Sequence, residues 1–141
     1  MNCIKFEFIE DLTSDVMFKA YGKTLEELVE NSGFALFSVM CDIEKVKSKK
    51  PVVIEVSGEN EEKLIHNWLS ELLTQHEIEN MFFSKFEVLD LKKNNEYKLK
   101  VKVSGDEIKN KLVLTVVKAV TYHKFSVEKK NKWIATVVLD I

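Results

Sequence analysis

Two cysteines, a single proline and no long apolar run are what this chain of 141 residues offers in the way of special chemistry. Cys3 and Cys41 lack the paired spacing of a zinc site. Without a signal-type leader or an apolar span near the length of a bilayer, the expectation is a cytoplasmic protein in a reducing compartment, with no membrane contact. Charge of one sign is also missing. Twenty-one basic side chains against 23 acidic ones leave a net charge of -2. A surface so balanced has no bulk attraction for phosphate backbones, so strong direct nucleic-acid binding is not expected. Gly22-Lys23-Thr24 has Met17 where a phosphate-binding loop needs its first glycine, and His76-Glu77 has Asn80 where a zinc-protease signature needs its second histidine. Both motifs are therefore excluded.

What is present suits one globular domain. With 45% apolar and 31% charged residues, the chain can bury one real core, and no repeat, low-complexity tract or linker divides residues 1–141. Ile4 to Phe8 alternates apolar and charged residues as a half-buried strand does, and Val16 to Tyr21 reads as a second strand. Thr24 and Glu27 form a capping box before Leu25, Leu28, Val29, Ser32, Leu36, Val39 and Met40, which recur at helical spacing. Gly33 inside this helix points to close packing of another element. After the polar stretch from Lys45 to Lys50, Val52 to Val56 reads as a strand ended by Ser57-Gly58. Asn60 then caps a second helix with a stripe of Leu64, Ile65, Trp68, Leu69, Leu72 and Leu73.

Strands dominate the remainder. Phe86 to Leu91 and Glu96 to Val103 flank Lys92-Lys93-Asn94-Asn95 and predict a hairpin, with Tyr97, Leu99, Val101 and Val103 inward and Lys98, Lys100 and Lys102 outward. The lysine row reads as a solvated face that discourages edge pairing. Phe82, Phe83 and Phe86 read as core rather than as a base-stacking platform. A closing hairpin is expected from Val113 to Glu128 and Trp133 to Leu139, the last strand apolar on both faces and so covered on both. The whole predicts the α+β class, a single layered domain of mostly antiparallel sheet packed with two α-helices.

Three acids stand apart, because Asp11, Asp15 and Asp140 fall where strands end. Solvated punctuation is the ordinary role of such residues. Asp140, however, precedes only Ile141, so its side chain and the Ile141 α-carboxylate lie one residue apart as like charges. Together with a third acid they suit a hard divalent ion such as Ca²⁺, Mg²⁺ or Mn²⁺. His66 and His76 read as surface or edge histidines, and Cys41 as a buried thiol within the first helix. The run Val117-Lys118-Ala119-Val120-Thr121-Tyr122-His123 places unusual polar residues in a strand, with Lys118 and Tyr122 on one face and Thr121 and His123 on the other.

These segments together resemble the archease family, small proteins that assist the RtcB-class tRNA-splicing ligase. The resemblance runs through Asp11, Thr13-Ser14-Asp15-Val16, Tyr21-Gly22-Lys23-Thr24-Leu25-Glu26-Glu27, Ala35-Leu36-Phe37, Trp68-Leu69-Ser70-Glu71-Leu72-Leu73, Lys118 to His123 and the closing Asp140-Ile141. It implies a divalent-metal site formed by Asp15, Asp140 and the Ile141 carboxylate. Asp11, Thr13, Lys118, Thr121 and His123 become further candidate functional residues. It also implies an accessory protein without catalytic residues of its own, which promotes nucleotidylation and repeated turnover of the ligase in tRNA splicing and RNA repair. The alternative is a chaperone that modulates an RNA-modifying tRNA methyltransferase. The chain departs from the family pattern at Leu12, where a histidine is usual, and at Met17, where a glycine is usual.

Overall fold

The computed structural model describes residues 4–9 and 15–141. In chain order it places β1 at Phe6–Ile9, β2 at Val16–Gly22, α1 at Leu25–Met40, β3 at Lys50–Gly58 and α2 at Glu61–Glu79. Then follow β4 at Met81–Lys93, β5 at Tyr97–Glu107, β6 at Ala119–Val120, β7 at Ser126–Lys129 and β8 at Trp133–Asp140. Local chemistry accounts for the helix starts. The Thr24 hydroxyl accepts from the Glu27 amide at 3.1 Å, and the Asn60 side chain accepts from the Lys63 amide at 2.9 Å. Asn80, in the left-handed region with φ 54°, ends α2.

Two antiparallel sheets enclose the helices. One has the order β1-β2-β8, with β6 and β7 following one another along the far edge of β8; the other has the order β3-β5-β4. Helix α1 packs against β2 and β8 on one side and β4 on the other, while α2 packs against β3 and β4 and reaches β6 and β7. The architecture is α+β, as expected. Its buried side chains form one cluster that includes Phe18, Phe37, Trp68, Phe83 and Leu139. At Gly33 of α1, β4 and α2 both approach closely. A Cβ there would lie 3.0 Å from the Phe86 ring and 3.1 Å from the Trp68 ring, and Trp68 is itself fixed by an indole N–H bond to the Val29 carbonyl at 2.9 Å.

Four expectations change. The Val113 to Glu128 strand forms only as the short pieces β6 and β7, the latter making the closing hairpin with β8, and its first part does not join the sheet despite its β-branched content. The Leu114 amide donates to the Met40 carbonyl at the end of α1, and a backbone pairing with β8 begins only at the Lys118 amide, which donates to the Asp140 carbonyl. The chain then turns at His123-Lys124, with Lys124 at φ 54°, so the alternation of Lys118 and Tyr122 against Thr121 and His123 fails. Lys98, Lys100 and Lys102 do lie on a solvated face, but β5 is the middle strand of its sheet and guards no edge. They reach instead toward acids on the flanking strands, Lys100 to Glu55 and Lys102 to Glu87. Strand β8 is central, yet it is covered unevenly: on one face Ala135, Val137 and Leu139 are buried and Trp133 half-buried, while opposite, Val138 is buried and Ile134 and Thr136 are half-exposed. Cys41 lies just past α1 rather than within it, its thiol donating to the Phe37 carbonyl, and burial pushes its pKa up to about 12. That makes it a structural thiol.

Candidate functional site

The acidic end of the molecule is built by the pairing of β2 with β8. Their antiparallel register ends where Val16 pairs with Leu139, and Asp15 and Asp140 are the next residues on the two chains. Two aspartates far apart in sequence thus flank the last pair of adjacent strands, both half-buried. On the other edge of β8, Ala119 is in register with Asp140 and Val120 with Leu139, and the Lys118 amide holds the Asp140 carbonyl at 2.7 Å. Ile141 follows as an exposed residue. The Asp140 backbone is therefore held from the β6 side.

The other sequence candidates divide. Lys118 is exposed beside Asp140. Thr121 is committed to the fold, because its amide and its hydroxyl both donate to the Val138 carbonyl, at 3.0 and 3.1 Å. His123 sits exposed in the turn after β6, and no described hydrogen bond or ring contact brings it to the acids. Asp11 and Thr13, together with Leu12 and Ser14, lie outside the described residues. Met17, at the other departure from the family pattern, is buried and pairs across to the buried Val138.

As a metal centre the described donors are incomplete. Carboxylate oxygens are the right chemistry for a hard divalent ion. Among the described residues, however, no group of three or more histidine, cysteine, aspartate and glutamate side chains is assembled for one ion.

Sequence reasoning missed the residue that organises this region, His66. It is buried rather than at the surface or an edge, only 8% exposed. Its Nε2 lies 2.9 Å from the Val120 carbonyl, its ring stacks on Tyr122 at 3.7 Å, and its edge meets Phe125. For that bond the ring must donate, which places a proton on Nε2. Helix α2 thereby pins the gap between β6 and β7, just where the strand from Lys118 leaves Asp140. Burial holds the imidazole below its ordinary pKa, with the Val120 bond acting in the opposite direction. A histidine inside the apolar face of a helix, at Ile65-His66 between Leu64 and Trp68, was the available signal.

His76 also proves half-buried, its Nδ1 2.6 Å from the Met81 carbonyl and its ring stacked on Phe82. It has no part in the acidic end.

Comparison with known proteins gives this geometry its family. The profile of the Archease protein family matches residues 6–141. The chain belongs to the archease family. Protein archease of Sulfurisphaera tokodaii is 41% identical over 140 residues, covering 97% of this chain and 99% of that protein. Protein archease of Pyrococcus abyssi is 40% identical over 133 residues, 92% and 94% of the two chains. The solution structure of Methanobacterium thermoautotrophicum protein 1598 superposes with a TM-score of 0.84 at 35% identity, covering 97% of this chain and 99% of that one. A crystal structure described as an archease, possible chaperone, from Thermotoga maritima shares the fold at a TM-score of 0.60 and 18% identity, over 94% and 95% of the chains. Membership of the archease family thus extends over both helices and both sheets.

Proposed function

We propose that this archease-family chain is an accessory protein that activates an RtcB-class RNA ligase in the cytoplasm, promoting its nucleotidylation and repeated turnover, with a divalent cation at the acidic end. The observation that supports the reading is the β2 and β8 register, whose last pair, Val16 with Leu139, leaves Asp15 and Asp140 as the next residues on the two chains, with the exposed Lys118 bonded to the Asp140 backbone. Asp15, Asp140 and the Ile141 carboxylate would hold the cation, Ca²⁺, Mg²⁺ or Mn²⁺, which when bound supplies a positive centre that a partner's oxygen ligands can complete. The chain's own part is to fix these oxygens: β2 and β8 set the side-chain spacing, and the Lys118 amide and the His66 bond to Val120 keep the neighbouring segment in place.

The test is multiple-turnover RNA ligation by a cognate RtcB-class ligase, with and without this protein, over a range of metal concentrations. Acceleration is expected, and turnover unchanged at every metal concentration rejects the reading. Metal binding is read separately, as a rise in melting temperature with Ca²⁺ or Mn²⁺, since an ion that binds only the folded state stabilises it. Asp15→Asn and Asp140→Asn should lose that rise. A second reading, a chaperone or interaction module acting on an RNA-modifying tRNA methyltransferase, is favoured by the description of the Thermotoga maritima relative as a possible chaperone. It predicts methyltransferase stimulation that the two asparagine variants retain.

A further inference from the structure

The segment from Leu114 to Val117 is the least expected surface of the molecule. Its side chains alternate as they would along a strand: Leu114 and Val116 are 62% and 72% exposed, while Thr115 is half-buried and Val117 buried. Yet it belongs to neither sheet. The Leu114 amide is used by Met40 and the Lys118 amide by Asp140, and these two bonds anchor the segment on its inner side. In an extended chain, amides and carbonyls of alternate residues point the same way. The backbone groups of Thr115 and Val117 are thereby directed away from the anchors, and among the described residues neither makes a backbone hydrogen bond. An unpaired edge with large aliphatic side chains is the surface that proteins normally shield.

Beside this edge lies a depression of about 210 Å³ lined by Met40, Phe82, Ile108, Thr115 and Val117, with His76 at its wall. The His76 Nδ1 is taken by the Met81 carbonyl, which leaves Nε2 as the ring's remaining polar atom. Ile78, at the end of α2 close to the depression-lining His76 and Glu77, is exposed as well.

We propose that Leu114 to Val117 is a docking edge for an extended segment of a partner protein, which adds a strand along Thr115 and Val117 and lowers an apolar side chain into the depression. Such strand addition takes affinity from main-chain bonds and selectivity from the pockets beside them. Charge identifies the partner further. Lys111 and Lys118 bracket the edge, both exposed and neither ion-paired with a described residue. Two copies of this chain pairing antiparallel through Thr115 would bring these lysines near one another, at a cost. A partner segment with acidic residues flanking an alternating apolar centre meets them with opposite charge. The inference is independent of both the metal and the ligase.

Two seven-residue probes test it, one with alternating valine and threonine flanked by aspartates, the other identical but flanked by lysines. Backbone amide shifts and hydrogen exchange are followed by NMR on the full chain. The expected result is slowed exchange at Thr115 and Val117 with the acidic probe, and binding of the lysine-flanked probe weaker by several-fold. Thr115→Pro removes an outward donor that the free protein leaves unbonded, and Lys111→Glu reverses an exposed charge, so both variants should fold, the first losing the acidic probe and the second weakening it several-fold. Any one of three results overturns the proposal: no protection at millimolar acidic probe, equal binding of the two probes, or protection without probe that rises with protein concentration alongside a dimer in sedimentation, which would assign the edge to a second copy.

Discussion

His66 concentrates several functions in one ring, and its variants separate them. His66→Phe keeps an aromatic surface for Tyr122 and Phe125 but leaves the buried Val120 carbonyl without its donor, so stability should fall by about 1–3 kcal/mol in denaturant unfolding. The pH dependence has a definite sign. Because the folded pKa is below the unfolded value, the unfolded chain takes up the proton first. The contribution is therefore constant above the unfolded imidazole pKa of about 6.5 and declines as pH falls from there toward the lower folded value. Urea unfolding of the wild type and His66→Phe at several pH values across this window should show the two curves converging as pH is lowered. Parallel curves would show that the ring titrates as freely in the folded protein as in the unfolded chain. Asp106 has a dependence of the same sign in a more acid window. The Glu107 amide, followed by Lys49, Lys109 and Lys50, holds its carboxyl below the usual carboxylate range, so its contribution is present at neutral pH and lost in acid as pH falls through the folded value.

Among the elements, the β4 and β5 hairpin and α1 depend on glycines for space rather than for unusual backbone angles. At Gly105, in register with Phe83, an added Cβ would run into the Phe82 carbonyl. The obstacle is backbone within a sheet and cannot rotate away. Gly105→Ala should therefore destabilise by about 2 kcal/mol or more, measured by denaturant midpoint at unchanged slope. Gly33→Ala is milder. Alanine favours the helix by about 1 kcal/mol, but its methyl must displace two buried rings, one of them tethered through Trp68 to Val29. The expected result is a net loss of about 1 kcal/mol, and a stabilised Gly33→Ala would show that Phe86 yields easily.

For the whole molecule, the decisive contact is between chain segments at its opposite ends, where β2 pairs with β8. Residues appended after Ile141 would turn its carboxylate into a neutral amide while leaving the β8 pairing with β2 and β6 intact. Such a protein should melt like the wild type without metal, yet show a smaller metal-induced rise in melting temperature and weaker ligase activation. Appended residues ahead of Met1 should change neither. Full metal response in the C-terminally extended protein would remove the Ile141 carboxylate from the site and leave Asp15 and Asp140 to act with other ligands.

How much of this was legible beforehand follows from the range of the interactions concerned. Helices α1 and α2 were readable because their signals are local: a capping side chain three residues from its amide, an apolar stripe at helical spacing, and Asn80 at the end. The β4 and β5 hairpin and the inward and outward faces of β5 were readable for the same reason, as was the α+β class. The sequence motifs also carried the family, since they span the chain. Pairing partners were not readable, because a strand's composition does not say what lies beside it. So β5 proved central, Val113 to Val117 failed to become a strand because only a single bridge to Cys41 pairs it, and His66 turned inward to a carbonyl 54 residues away. The acids were visible in sequence as residues at strand ends. Only the tertiary register brought Asp15 and Asp140 to the same end of adjacent strands, because the placement of side chains on neighbouring strands is determined by which residues pair, and that choice is made by the shared core that β2 and β8 bury against α1.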